Sequence, residues 1–203
     1  LAIYKDGSIV DLAQAKDSEL IIIFDKTPFY PEGGGQISDI GVLENNDCSL
    51  SILNVQKIGN SIVHKAVLKN GTIKKSDKFN LKIDTRRRKS IAIHHSSTHL
   101  LHQALRDVLG NHVEQKGSLV TDSGLRFDFS HNKALSKDEI SRIEKIIAFE
   151  IDEAKKTSIN QMSYKDAIKA GALAFFDEKY EDDVRVLNIG TKSMELCGGT
   201  HVD

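Results

Sequence analysis

Through residues 1–84, apolar side chains alternate with polar ones or run in short stretches, the period of β-strands half-buried in a small sheet. Strands are predicted over 2–4, 19–25, 37–43, 49–58, 61–67 and 80–83, with Asp6-Gly7, Gly33-Gly34-Gly35, Gly59-Asn60 and Asn70-Gly71 between them. Gly59-Asn60 and Asn70-Gly71 read as hairpin turns, because both pairs tolerate the positive φ that tight hairpins need. The expectation for this part is a small antiparallel β-barrel.

The period changes after Asp84. From Ser90 to Leu109 the apolar positions Ile91, Leu100, Leu101, Ala104, Leu105 and Val108 recur at helical spacing, and Gly110-Asn111 supplies a stop. A hairpin follows over 113–120 and 125–129. Ser136 and Glu139 form a capping box for a helix reaching about Lys155, with Ile140, Ile143, Ile147 and Ile151 expected inward. Ser163 and Asp166 cap a shorter helix ending at Gly171, and 184–189 with 192–196 make a second hairpin. The fold class is therefore α+β with antiparallel sheets: a β-barrel subdomain over 1–84 that carries the glycine-rich stretch, then an α+β domain over 85–203.

Composition narrows the setting. No apolar run approaches the roughly 20 residues of a membrane span, and no signal segment opens the chain, so a cytoplasmic protein without membrane contact is expected. Two cysteines, Cys48 and Cys197, do not make a disulfide scaffold. The first residue is Leu1, which reads as a piece cut from a longer protein. The net charge of −1 hides local balances of −1 over 1–84, +4 over 85–135 and −4 over 136–203. The basic stretch opens with Arg86, Arg87, Arg88 and Lys89, where a polyanion would bind if there is one; the plainer reading is a solvated basic turn.

Two places carry chemistry. His95 and His99 stand four apart on the predicted helix, about 40° apart around its axis, so both imidazoles leave one face on adjacent turns. Downstream, Cys197-Gly198-Gly199-Thr200-His201 sets a thiolate and an imidazole on a loop after a strand. One sulfur among three nitrogens suits tetrahedral Zn²⁺ better than Mg²⁺ or Ca²⁺. His94 lies about 140° from His99 and competes poorly; His102, one turn beyond His99, is the credible alternative ligand.

With these residues in hand, His94-His95-Ser96-Ser97-Thr98-His99-Leu100-Leu101 resembles the first zinc motif of alanyl-tRNA synthetase editing domains and of the free-standing AlaX deacylases. Thr27-Pro28-Phe29-Tyr30-Pro31-Glu32-Gly33-Gly34-Gly35-Gln36 is similar to the family's glycine-rich motif. The segments 112–118, 125–131 and 195–201 are similar to its remaining signatures, in the same order over about the whole chain. Threonyl-tRNA synthetases share a related zinc motif but lack the glycine-rich element, which makes that branch the remoter alternative.

The resemblance implies one Zn²⁺ held by His95, His99, Cys197 and His201, and hydrolysis of the ester joining a mistaken serine or glycine to tRNA(Ala). A synthetic pocket that admits alanine cannot exclude glycine, and a hydrophobic pocket rejects one extra hydroxyl only about a hundredfold, so a second site is needed. It further implies that Thr27 reads the substrate side chain and that Gln115 serves the reacting ester. Gly33, Gly34 and Gly35 tolerate positive φ and let backbone N–H groups approach a ligand, or make a tight turn joining two strands, and the two readings do not exclude each other. ATP would be used only by the parent synthetase, outside this chain, to whose aminoacylation and C-terminal domains the chain would be covalently continuous. Four protein ligands make a closed site, usually structural. Either one ligand is loose and the metal positions water, the favoured reading, or the metal only shapes the pocket.

Overall fold

The computed structural model describes residues 2–14, 19–174, 182–190 and 192–203. The chain divides into two compact units, 1–89 and 90–203.

The first unit is antiparallel sheet. Strands β1 (Ala2–Lys5), β2 (Ser8–Val10), β4 (Leu20–Ile23), β5 (Gly41–Glu44), β6 (Cys48–Ile58), β7 (Ser61–Lys74) and β8 (Asn80–Ile83) stand in the order β2-β1-β4-β7-β6-β5-β8, and β3 (Leu12–Gln14) pairs the far end of β7. Alternation turns Leu20 and Ile22 of β4, and Leu50 and Ile52 of β6, into one core with Ile3, Leu43, Ala66 and Ile73. A register shift between Ile52 and Asn54 leaves Leu53 outside and brings Val55 back to the core.

Two expectations need correction. Among the described residues the sheet is not a closed barrel: its order ends at β2 and β8, which pair only β1 and β5. These end strands are three and four residues long, too short to give closure a continuous ladder. Nor is Asn70-Gly71 a hairpin turn, unlike Gly59-Asn60, which does join β6 to β7. The strand runs through it, and Gly71, at φ +76°, faces Cys48 beside a bulge. A Cβ there would lie 1.9 Å from the Asp47 carbonyl oxygen, so the glycine answers a close approach rather than a chain reversal.

Helix α1 (Thr85–Leu109) begins five residues earlier than the apolar period indicates. The Asp84 carboxylate accepts from the Arg87 N–H and caps the helix, so the basic run is a first helical turn rather than a loop. In the second unit, β9 (Gln115–Val120) and β10 (Leu125–Phe129) form the expected hairpin, and β12 (Asp183–Ile189) with β13 (Ser193–Leu196) the second. Strand β11 (Ser158–Ser163) joins β12 but carries almost no buried side chain, so no alternation announces it. Helix α2 (Lys137–Asp152) has the capping box of Ser136 and Glu139. Of its four isoleucines expected inward, Ile143 is buried, whereas Ile140 and Ile151 are 42% and 56% exposed. Ser163 caps α3 (Tyr164–Lys169), and Gly171 follows it at φ +93°. No described helix is long and apolar enough to cross a membrane.

Candidate metal centre

Helix α1 buries an unusual set of side chains. Besides Ile91, Leu100, Ala104 and Leu105, it turns His95, Ser96, Thr98, His99 and His102 inward. Buried polar groups on this scale require partners, and the second unit supplies them from the end of β13 and the loop after it.

His95, His99, Cys197 and His201 each direct one donor atom into a common space, with all four atoms within 4.8 Å of one another. The Cys197 sulfur lies 3.4 Å from His95 Nε2 and 3.2 Å from His201 Nε2. Around a tetrahedral zinc the edges between donors are about 3.3–3.6 Å, from the usual Zn–S and Zn–N lengths. His99 Nε2 is buried without a hydrogen-bond partner among the described residues. A buried, unpartnered imidazole nitrogen aimed at a thiolate and two further imidazoles fits a soft divalent metal, so the residues present suit zinc.

The rings are held from behind. His99 Nδ1 donates to Glu195 Oε2 at 2.5 Å, and His102 Nδ1 donates to Glu195 Oε1 at 2.9 Å. Ser96 Oγ lies 3.4 Å from His201 Nδ1 and accepts from the Val202 N–H. Arg185 donates to the carbonyls of Cys197 and Gly199, which pins the glycine loop. His94 turns elsewhere, donating to the Thr121 carbonyl at 2.8 Å.

Electrostatics set the charge of the donor groups. Burial opposes charge on His99, but the Glu195 carboxylate outweighs it and lifts the imidazole to about 10. Burial likewise opposes charge on Glu195, yet His99 and His102 hold it at about 2. Burial alone would raise the Cys197 thiol, but the ring nitrogens of His201 and His95 beside the sulfur hold it well below its ordinary range, as a thiolate suited to a metal. His201 is pushed down to about 4, chiefly by burial, and so keeps a free lone pair at neutral pH.

Gln115 opens β9 and lines a pocket of about 250 Å³ together with His102, Arg106, Asn111 and Val113. In the first unit, the Thr27 hydroxyl lies 2.8 Å from His64 Nε2 and accepts from the Phe29 N–H at 3.2 Å. The glycine-rich stretch is a tight turn: Gly33 N–H donates to the Gln36 carbonyl and Gln36 N–H returns to Gly33. The Gly33 N–H is thus engaged within the turn, while Gly34 and Gly35 take the positive φ that permits it.

The arginine cluster is divided. Arg88 Nε donates to both oxygens of the buried Asp39 carboxylate, at 2.8 and 3.0 Å, and Arg88 Nη2 donates to the Pro28 carbonyl. Arg87 donates to the Ser38 carbonyl. Arg86 and Lys89 are exposed. Sequence reasoning assigned no role to Glu195, Ser96, Arg185, Asp39 or His64. Glu195 had a signal, an acidic residue two positions before Cys197 on a short strand between Met194 and Leu196; the others had none.

Residues 1–87 match the family model for class II (A) tRNA synthetases. The whole chain is 46% identical to an alanine–tRNA ligase of Thermoanaerobacter sp. (strain X514) and 46% to that of Rickettsia bellii. It is 47% identical to the alanine–tRNA ligase of Nitrosomonas europaea. In each comparison all of this chain is covered, and it spans 23% of the relative's length. Over its entire length the chain is therefore homologous to a segment of alanine–tRNA ligases, and its first 87 residues match the class II tRNA synthetase (A) family.

Proposed function

We propose that this chain is the editing segment of an alanine–tRNA ligase, hydrolysing the ester between tRNA(Ala) and a mistaken serine or glycine. The observation that carries the reading is the converging set of His95, His99, Cys197 and His201, donors brought together from two distant segments that each resemble an editing-family motif. The relatives are ligases that extend well beyond the segment matched here, which favours an editing segment over a free-standing AlaX-type deacylase. In that setting ATP is consumed by the ligase reaction and not by the hydrolysis.

His95, His99, Cys197 and His201 would hold zinc, with Ser96 and Glu195 fixing the ring orientations of His201 and His99. When bound, zinc supplies Lewis acidity to an ester carbonyl or water at the site. The Gln115 amide, beside His102 in the pocket wall, serves the reacting end by orienting the carbonyl or water through hydrogen bonds. Thr27 reads the amino-acid side chain. The turn of Gly33, Gly34 and Gly35 supplies backbone N–H groups at the substrate, Gly33's own being engaged. Arg86 and Lys89, exposed in the first turn of α1, meet tRNA phosphates, whereas Arg87 and Arg88 hold the loop that carries Pro28 and Ser38.

The test is single-turnover deacylation of seryl-, glycyl- and alanyl-tRNA(Ala) by the chain itself. The reading expects the first two esters to be cleaved and the alanyl ester to be spared. A chain that binds tRNA(Ala) but cleaves none of the three would be a binding module, and the reading would fall.

A further inference from the structure

Helix α1 presents three buried histidines, not two, to the same region. By helical geometry His102 lies only about 20° around the axis from His95 and about 60° from His99. All three are 3–4% exposed. Yet only His95 and His99 join Cys197 and His201 in the four-donor group. Position on the helix therefore does not explain which imidazoles become ligands.

The carboxylate of Glu195 does. It is 1% exposed, and it stands between the two rings with one oxygen to each. An ionised carboxylate only accepts hydrogen bonds, so both Nδ1 atoms are donors. That assignment leaves the Nε2 of a neutral His99 as a bare lone pair, and it is this atom that is buried without a partner beside Cys197 and His201. His102, held by the other oxygen, packs its ring 5.4 Å from Phe127 and lines the pocket that includes Gln115. Glu195 sits two residues before Cys197, so the strand that delivers the sulfur delivers the carboxylate as well.

We propose that Glu195 is the positioning residue of this metal centre: it fixes His99 in the tautomer that can ligate, and His102 anchors Glu195 instead of serving as a ligand. The inference rests on the reading that the four-donor group binds a metal, and it goes beyond it in saying why His99 qualifies and His102 does not. Carboxylates behind metal-bound imidazoles orient the ring and raise its basicity, and their loss commonly weakens metal binding 10- to 100-fold.

The experiment measures the zinc dissociation constant of the whole chain by competition with a chromophoric chelator, alongside the absorption spectrum of the Co²⁺-loaded protein. Glu195→Ala should bind zinc about 10- to 100-fold more weakly. Glu195→Gln, whose amide oxygen still accepts from His99, should recover most of that loss. His102→Ala should weaken zinc less than Glu195→Ala does and leave the Co²⁺ spectrum that of a tetrahedral site with one thiolate. A folded Glu195→Ala protein with unchanged zinc affinity overturns the proposal, as does loss of a ligand from the Co²⁺ spectrum of His102→Ala. Should these variants not fold, nitrogen NMR of the zinc-loaded wild type decides. Protons on Nδ1 of both His99 and His102 support the proposal, and a proton on Nε2 of His99 with Nδ1 bare contradicts it. A wild-type chain that binds no zinc removes the metal-centre reading and this inference together. Zinc binding that ignores Glu195 removes the inference alone.

Discussion

The Thr27 hydroxyl and His64 Nε2, 2.8 Å apart, fix each other's polarity. His64 Nδ1 faces the Ile22 carbonyl at 3.1 Å and must donate to it. Burial lowers the pKa of His64 and keeps it neutral, so Nε2 is an acceptor and Thr27 donates its only hydroxyl proton there. Thr27 Oγ1 already accepts from Phe29 N–H. What remains for a ligand is one lone pair, which suits a side chain that brings a proton, as serine does and alanine does not. Thr27→Val should therefore narrow the gap between seryl- and alanyl-tRNA(Ala) hydrolysis several-fold, given roughly 0.5–1.5 kcal/mol for such a bond. Gln115→Ala should slow both esters alike. Single-turnover rates check both, and an unchanged ratio in Thr27→Val would remove its role in selection.

The same histidine predicts a pH dependence of stability. Its folded pKa lies below the ordinary 6.5, with burial the main cause. The unfolded chain takes up the proton that the folded one refuses, so this contribution is present in full above about pH 6.5 and is lost as the pH falls below it. Urea melts of wild type and His64→Phe between pH 7.5 and 5 should show the shallower decline in the variant. Parallel declines would mean that His64 is not the group responsible.

Arg88 and Arg86 are two residues apart on one helix turn, but their substitutions should report different things. Arg88→Ala strips the partner from the buried Asp39 carboxylate and should destabilise the first unit by about 2–3 kcal/mol, less than a wholly buried pair because Arg88 is partly exposed. Arg86→Ala and Lys89→Ala, at exposed positions, should shift the melt less than Arg88→Ala does. They should instead flatten the salt dependence of tRNA(Ala) binding, the slope falling by about 0.7–0.9 for each phosphate no longer neutralised. A slope unchanged in Arg86→Ala/Lys89→Ala would return both to the role of a solvated helix start.

Metal binding should weaken as the pH falls. An imidazole or thiol ligates only when deprotonated, so protons compete with zinc for His95, His99, Cys197 and His201. Apparent zinc affinity should therefore drop as the pH is lowered through the acid range, by about tenfold per unit for each proton displaced. A zinc affinity independent of pH, measured by chelator competition, would contradict ligation by these groups. Cys197→Ala should hold little or no zinc, and a variant that kept its full zinc content would sink the ligand assignment.

What the sequence made legible was local. His95 and His99 share a helix face by spacing alone, Ser136 and Glu139 announce their own helix, and Gly59-Asn60 announces its own hairpin. Partners distant along the chain were not legible. Nothing near Glu195 says that its two oxygens meet His99 and His102, and nothing near Arg88 says that it meets Asp39. Asn70-Gly71 misled because a turn dipeptide also serves a bulge, where the neighbouring strand and not the local sequence sets the need for positive φ. Strand β11 was missed because an exposed edge carries no alternation to read.

One rate bears on zinc-dependent editing more than any other. Seryl-tRNA(Ala) hydrolysis should be followed in single turnover with the chain as purified, after exhaustive removal of metal, and after return of one equivalent of zinc. Activity should fall at least a hundredfold on removal, about 2.7 kcal/mol of transition-state stabilisation or more, and return with the single zinc. A metal-free chain that keeps its fold and its full rate would contradict a metal-dependent editing site.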